Sequence, residues 1–114
     1  MPGTQPENSG VIDIRSSGTV VSGGPSSLLA KTSALEVRRL ILSKGRAIPT
    51  HHAPGEITVH CLEGRIAFTS GETTRELGAG QMLVLVAGEP HSVAGMEDST
   101  VLVTKVLPAN PSTQ

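Results

Sequence analysis

The chain of 114 residues has no tryptophan, no tyrosine and a single phenylalanine, Phe68. Without aromatic rings it lacks the platforms on which unpaired bases stack. Its nine Lys and Arg against ten Asp and Glu leave a formal charge of −1, which is no footprint for a phosphate backbone. Both absences argue against nucleic acid as a partner. The one cysteine, Cys61, cannot close an internal disulfide, and the first residues show no basic stretch followed by an apolar one. No apolar run approaches the roughly 20 residues that cross a bilayer as a helix. A reducing, cytoplasmic setting with no membrane partner is the expectation.

What remains is aliphatic. Hydrophobic residues make up 37% of the chain and are mostly Val, Leu, Ile and Ala, so a ligand pocket must be walled by aliphatic side chains. A chain of this length supports one small core. The polar ends MPGTQPENSG and PANPSTQ set the expected organisation: residues 1–25 as a partly flexible N-terminal arm, 26–108 as the folded domain and 109–114 as a tail.

From Gly45 onward, turn signals recur about every ten residues, at Glu63-Gly64, Gly71-Glu72, Gly78-Ala79-Gly80 and Gly88-Glu89-Pro90. Ile57–Leu62 and Arg65–Ser70 read as a hairpin across Glu63-Gly64. Thr73–Leu77 reads as a short polar strand, and Met82–Val86, apolar on both faces, as a strand enclosed within a sandwich or barrel. His91–Ala94 and Thr100–Leu107 complete the series. Upstream, Val11–Ile14 suits a short edge strand. Residues 26–43, with ALEVRRLIL at 34–42, suit strand better than helix because β-branched residues and the KGRAIP stop accompany them. The fold class is therefore all-β and antiparallel, a barrel or jelly roll.

The chemistry is concentrated in Gly45–Arg65, which holds three of the four histidines and the only cysteine. His51, His52, His60 and the more distant His91 can ligate a divalent metal through neutral imidazole; Glu56 can ligate or act as an acid or base. On a regular strand Glu56, Thr58 and His60 share one face, while Ile57, Val59 and Cys61 share the other. A bulge at Pro54-Gly55 would shift that parity, so the polar face can meet either solvent or a pocket. Cys61 reads as a small core hydrophobe. The arginines, among them Arg38 and Arg39, read as solvated strand faces.

Two spaced motifs, Gly45-x5-His51 with Pro54-Gly55-Glu56-x7-Gly64, then Gly80-x7-Gly88-x-Pro90-His91, resemble the two motifs of the cupin superfamily. The resemblance covers about Leu35 to Leu107. It implies a single-domain cupin jelly roll, a double-stranded β-helix barrel, with a metal held at the barrel mouth. His51 matches the first histidine of motif one, and His91 the histidine of motif two. Ala53 stands where a second histidine usually is, and Ile57 where the family's glutamate usually is. Val86 and Gly95 replace a common proline and asparagine.

The resulting expectation is a pocket lined by His51, His60 and His91, with His52 as alternate. It would take a divalent Zn, Ni, Mn or Fe ion and a small-molecule ligand, with Glu56 as candidate catalytic group. Metal-dependent dioxygenase or isomerase chemistry is what the resemblance implies; a non-catalytic binding or sensing protein without metal is the alternative. Sheet edges that need cover point to a homodimer.

Overall fold

Period-two alternation of buried and half-exposed residues marks the central strands, as in Ile57–Glu63, where Ile57, Val59 and Cys61 are buried and the residues between them are not. The computed structural model describes residues 10–15 and 26–108. The described residues form β1 (Ser26–Lys31), β2 (Leu35–Leu42), β3 (Ala47–His51), β4 (Ile57–Glu63), β5 (Arg65–Ser70), β6 (Thr73–Gly78), β7 (Gln81–Leu85), β8 (His91–Gly95) and β9 (Ser99–Val106). They make a five-stranded sheet in the order β1-β2-β9-β4-β7 and a four-stranded sheet in the order β3-β8-β5-β6, all pairs antiparallel.

The two inner faces meet in an aliphatic core. Leu42, Cys61, Ile66 and Val101 are wholly buried, and Ile57, Val59, Phe68, Val93 and Val103 surround them. Each such side chain is worth about 1.5–3 kcal/mol when withdrawn from water. This is the all-β jelly-roll architecture expected.

Three expectations need correction. Glu63-Gly64 does not close a hairpin: β4 pairs with β7 and β9, whereas β5 pairs with β6 and β8. The chain instead turns a corner from one sheet to the other at Gly64. Its φ of 83° and the Asp98 and Ser99 backbone against it leave no room for a Cβ. Ser99 Oγ fastens the corner, accepting from the Arg65 amide at 3.0 Å and lying 2.7 Å from the Glu97 carbonyl.

Nor is the apolar stretch Met82–Val86 enclosed. β7 is the last strand of its sheet, so only Leu83 and Leu85 face the core while Met82, Val84 and Val86 are exposed. Val11–Ile14 forms no strand. Asp13 pairs with Arg15 two residues on, a local closure that competes with a ladder, and the Arg39 guanidinium reaches the Arg15 carbonyl at 2.8 Å. By contrast, 26–43 is extended as expected. It is two strands, joined where Thr32 Oγ1 accepts from the Ala34 and Leu35 amides.

Candidate functional site

A cavity of about 360 Å³ lies between the sheets, at the low end of the range for small-ligand sites. Its walls are the inward residues of β4 and β9, Val59, Val101 and Val103 among them, faced by Phe68 and Val93 of the smaller sheet. Two groups of polar residues interrupt this lining. One is His51 with His91; the other is Glu36, Arg38 and Lys105, with Ser26 beside them.

The histidine pair is made by an irregularity in β3. Ile48 pairs with Val93 and His51 with His91, so two residues of β3, Pro49 and Thr50, span the single Ser92 of β8. That bulge changes the parity of β3 and brings both Ile48 and His51 to the cavity, which a regular strand could not do. Pro49, which has no N–H to give a ladder, occupies the irregular stretch.

The rings lie 4.3 Å apart between centroids at 61°, edge to face, and Phe68 stacks on His91 at 5.4 Å and 15°. Each Nδ1 lies 2.9 Å from a carbonyl two residues earlier, Pro49 for His51 and Glu89 for His91. A carbonyl only accepts, so Nδ1 carries the proton in both, and in the neutral ring Nε2 keeps its lone pair. His91 is 6% exposed, whereas His51 is exposed. Burial, ahead of every other influence, depresses His91 below the usual histidine range; the nearby His51, Lys105 and His52 add to this, and the Glu89 carbonyl opposes it.

The other expected site residues lie elsewhere. β4 keeps regular parity from Ile57 to Cys61, so Ile57 and Val59 take the cavity face, and Thr58 and His60 the opposite one, where His60 pairs with Met82 and Leu102. The inward reading of His60 and Glu56 is therefore not met; Glu56 is exposed before the strand begins. His52 is exposed and outside the cavity lining. At the two departures in the first motif, Ala53 is buried and Ile57 is a cavity wall, so apolar groups stand at both positions.

A mononuclear metal held by protein takes three or more donors. Among the described residues no three His, Cys, Asp or Glu side chains gather for one, and the cavity offers two imidazoles. The donor set falls short of the divalent site expected. Cys61 is buried, with its thiol pushed up chiefly by burial, and it is not part of the cavity.

Sequence reasoning missed Glu36, Arg38 and Lys105. Arg38 Nε donates to Glu36 Oε2 at 2.6 Å and its Nη1 to Ser26 Oγ at 3.1 Å; the bond from Arg38 Nε holds the Glu36 carboxyl below its ordinary range. Their signal was parity, since Glu36 and Arg38 alternate in step with Leu40 and Leu42, which face the core.

The model of the Cupin domain family matches residues 38–106. No curated protein matches the chain. Among solved structures, a cupin superfamily protein from Desulfitobacterium hafniense is similar with a TM-score of 0.70 and 18% identity, over 73% of this chain and 76% of that one. A conserved protein of unknown function from Streptococcus pyogenes matches with a TM-score of 0.70 and 25% identity, over 89% of this chain and 97% of that one. An RmlC-like cupin family protein with a double-stranded β-helix fold from Methanocaldococcus jannaschii has a TM-score of 0.70 at 12% identity, over 85% and 89% of the two chains.

Proposed function

Since the chain belongs to the Cupin domain family, we propose that it binds a small molecule in the cavity between its sheets, with His51 and His91 as a polar end of the site. The observation that carries this reading is the pair of rings, each anchored through Nδ1, set in the lining of an otherwise largely aliphatic space. An aliphatic wall supplies affinity without direction, and the Nε2 lone pairs supply direction by accepting from a ligand hydroxyl or N–H.

A second reading puts a divalent ion on the two Nε2 atoms, with ligand and water completing its coordination. Anchored Nδ1 is the arrangement that orients ligating histidines, which favours this reading. The shortage of protein donors opposes it, and dioxygenase or isomerase chemistry would depend on it.

The two are separated by treating the protein with chelator and measuring Tm against a panel of small fragments. Metal-independent binding predicts that a fragment raises Tm in the presence of chelator, as any ligand of the native state must. Stabilisation that vanishes with chelator and returns on adding Zn, Ni, Mn or Fe would establish the second reading instead. A panel without effect under either condition would overturn both.

A homodimer in a cytoplasmic setting completes the proposal. Exposed Met82 and Val84 on an edge strand support the first, and a lone buried cysteine the second. Sedimentation showing a monomer at micromolar concentration would refute the dimer. No helix among the described residues is long and apolar enough to cross a membrane.

A further inference from the structure

The charged group in the cavity lining selects a class of ligand. Glu36, Arg38 and Lys105 are inward positions of β2 and β9, with Lys105 paired to both Glu36 and Ile57. Arg38 and Glu36 are partly withdrawn from water, their side chains 33% and 13% exposed. Their ion pair uses Arg38 Nε, and Ser26 takes Nη1, which leaves Nη2. Among the described residues no carboxylate stands within ion-pair distance of Lys105. Two cations and one carboxylate leave a single uncompensated positive charge in a cavity whose remaining lining is aliphatic, aromatic, imidazole or hydroxyl. That charge acts on its neighbours in the lining, since Lys105 is among the cations that lower the affinity of Glu36 and His91 for a proton.

We propose that the ligand is a monocarboxylate with an apolar body, its carboxylate held by Lys105 and Arg38 and its body lying along Val59, Val101 and Val103. A monoanion cancels the one surplus charge, whereas a phosphate dianion would leave a negative charge against low-dielectric walls, at a cost in desolvation. Charge-assisted bonds from guanidinium and ammonium are the strong class of hydrogen bond and suit a carboxylate. The inference rests on the cavity being a ligand site.

The test uses hexanoate, hexanamide and hexyl phosphate as probes, titrated into chelator-treated protein by calorimetry or NMR, with Lys105→Met and Arg38→Gln beside the wild type. Lys105→Met keeps the apolar stem and removes the charge. Hexanoate binds at least about tenfold more tightly than hexanamide, a margin of one charged hydrogen bond, and loses about that factor in Lys105→Met while hexanamide does not. Its affinity also falls as salt is raised. Hexanamide binding as tightly as hexanoate would overturn the carboxylate assignment and leave the small-molecule reading standing. Hexyl phosphate binding more tightly would overturn the monoanion, and hexanoate affinity untouched in both variants would overturn the roles of Lys105 and Arg38. No binding of any probe at millimolar concentration would remove the small-molecule reading and this inference together.

Discussion

The two histidines share the cavity but not its energetics, and replacing each with alanine separates their roles. His91 is nearly inaccessible, stacks on Phe68, meets His51 edge to face and donates to the Glu89 carbonyl. An aromatic contact is worth about 0.5–1.5 kcal/mol beyond burial, and a hydrogen bond about 1 kcal/mol. His91→Ala is therefore expected to cost about 3 kcal/mol, or roughly 12–24 °C in Tm for a domain of this size. His51 is exposed, keeps one ring contact and makes its hydrogen bond near water, so His51→Ala should cost under about 1 kcal/mol. Urea and thermal unfolding followed by circular dichroism measure both. The buried ring also adds a pH dependence. Its folded pKa is depressed, so above about pH 6.5 the ring is neutral in both states and contributes nothing to the slope. Below that, the unfolded chain takes the proton first, and stability falls with pH until the depressed folded pKa is reached. Between pH 7.5 and 5.5 the wild type should lose more stability than His91→Ala. Equal costs for the two variants, or equal losses on acidification, would refute this account of the pair.

The corner at Gly64 and the turn at Gly45 both have positive φ, but only at Gly64 would a Cβ strike backbone; at Gly45 nothing lies within 4 Å. Gly45→Ala should thus cost about 1–2 kcal/mol of left-handed strain, and Gly64→Ala about 2–5 kcal/mol once overpacking is added, both read from urea midpoints. A Gly64→Ala protein as stable as Gly45→Ala would show that β4 and β5 do not meet at a tight corner. Cys61 is wholly buried with its thiol pushed up, so a maleimide should label it only in unfolded protein, as followed by intact mass; rapid labelling under native conditions would contradict its place in the core.

Local signals in the chain reported turns more faithfully than they reported partners. Gly71-Glu72 closes a true hairpin between β5 and β6, while Glu63-Gly64, equally turn-like, passes the chain between sheets. Nothing in the dipeptide distinguishes the two; the difference lies in Ser99, contributed by a strand far along the chain. The stretch at Met82–Val86 misleads for a related reason: its hydrophobicity is that of an enclosed strand, and its position at a sheet edge is set by topology. At the site, the spaced glycines placed His51 and His91 together correctly, because they fix the turns that aim β3 and β8. His60 faces away from the cavity because β4 is regular from Ile57 to Cys61 and its register shift comes only after Cys61, whereas the shift in β3 lies between Ile48 and His51; a one-residue slip reverses every side chain beyond it. The charged group is not legible in the sequence, because an arginine in a strand looks solvated until its neighbours in register are known.

The central claim is that the cavity, and not another surface, takes the ligand. It is tested by methyl NMR of chelator-treated protein titrated with the fragment that stabilises it most. A ligand in the cavity shifts the methyls of Val59, Val101 and Val103 and the ring signals of His51 and His91, with Met82 and Val84 on the outer face unmoved. Shifts confined to Met82 and Val84, with the cavity methyls and both rings unchanged, would contradict it.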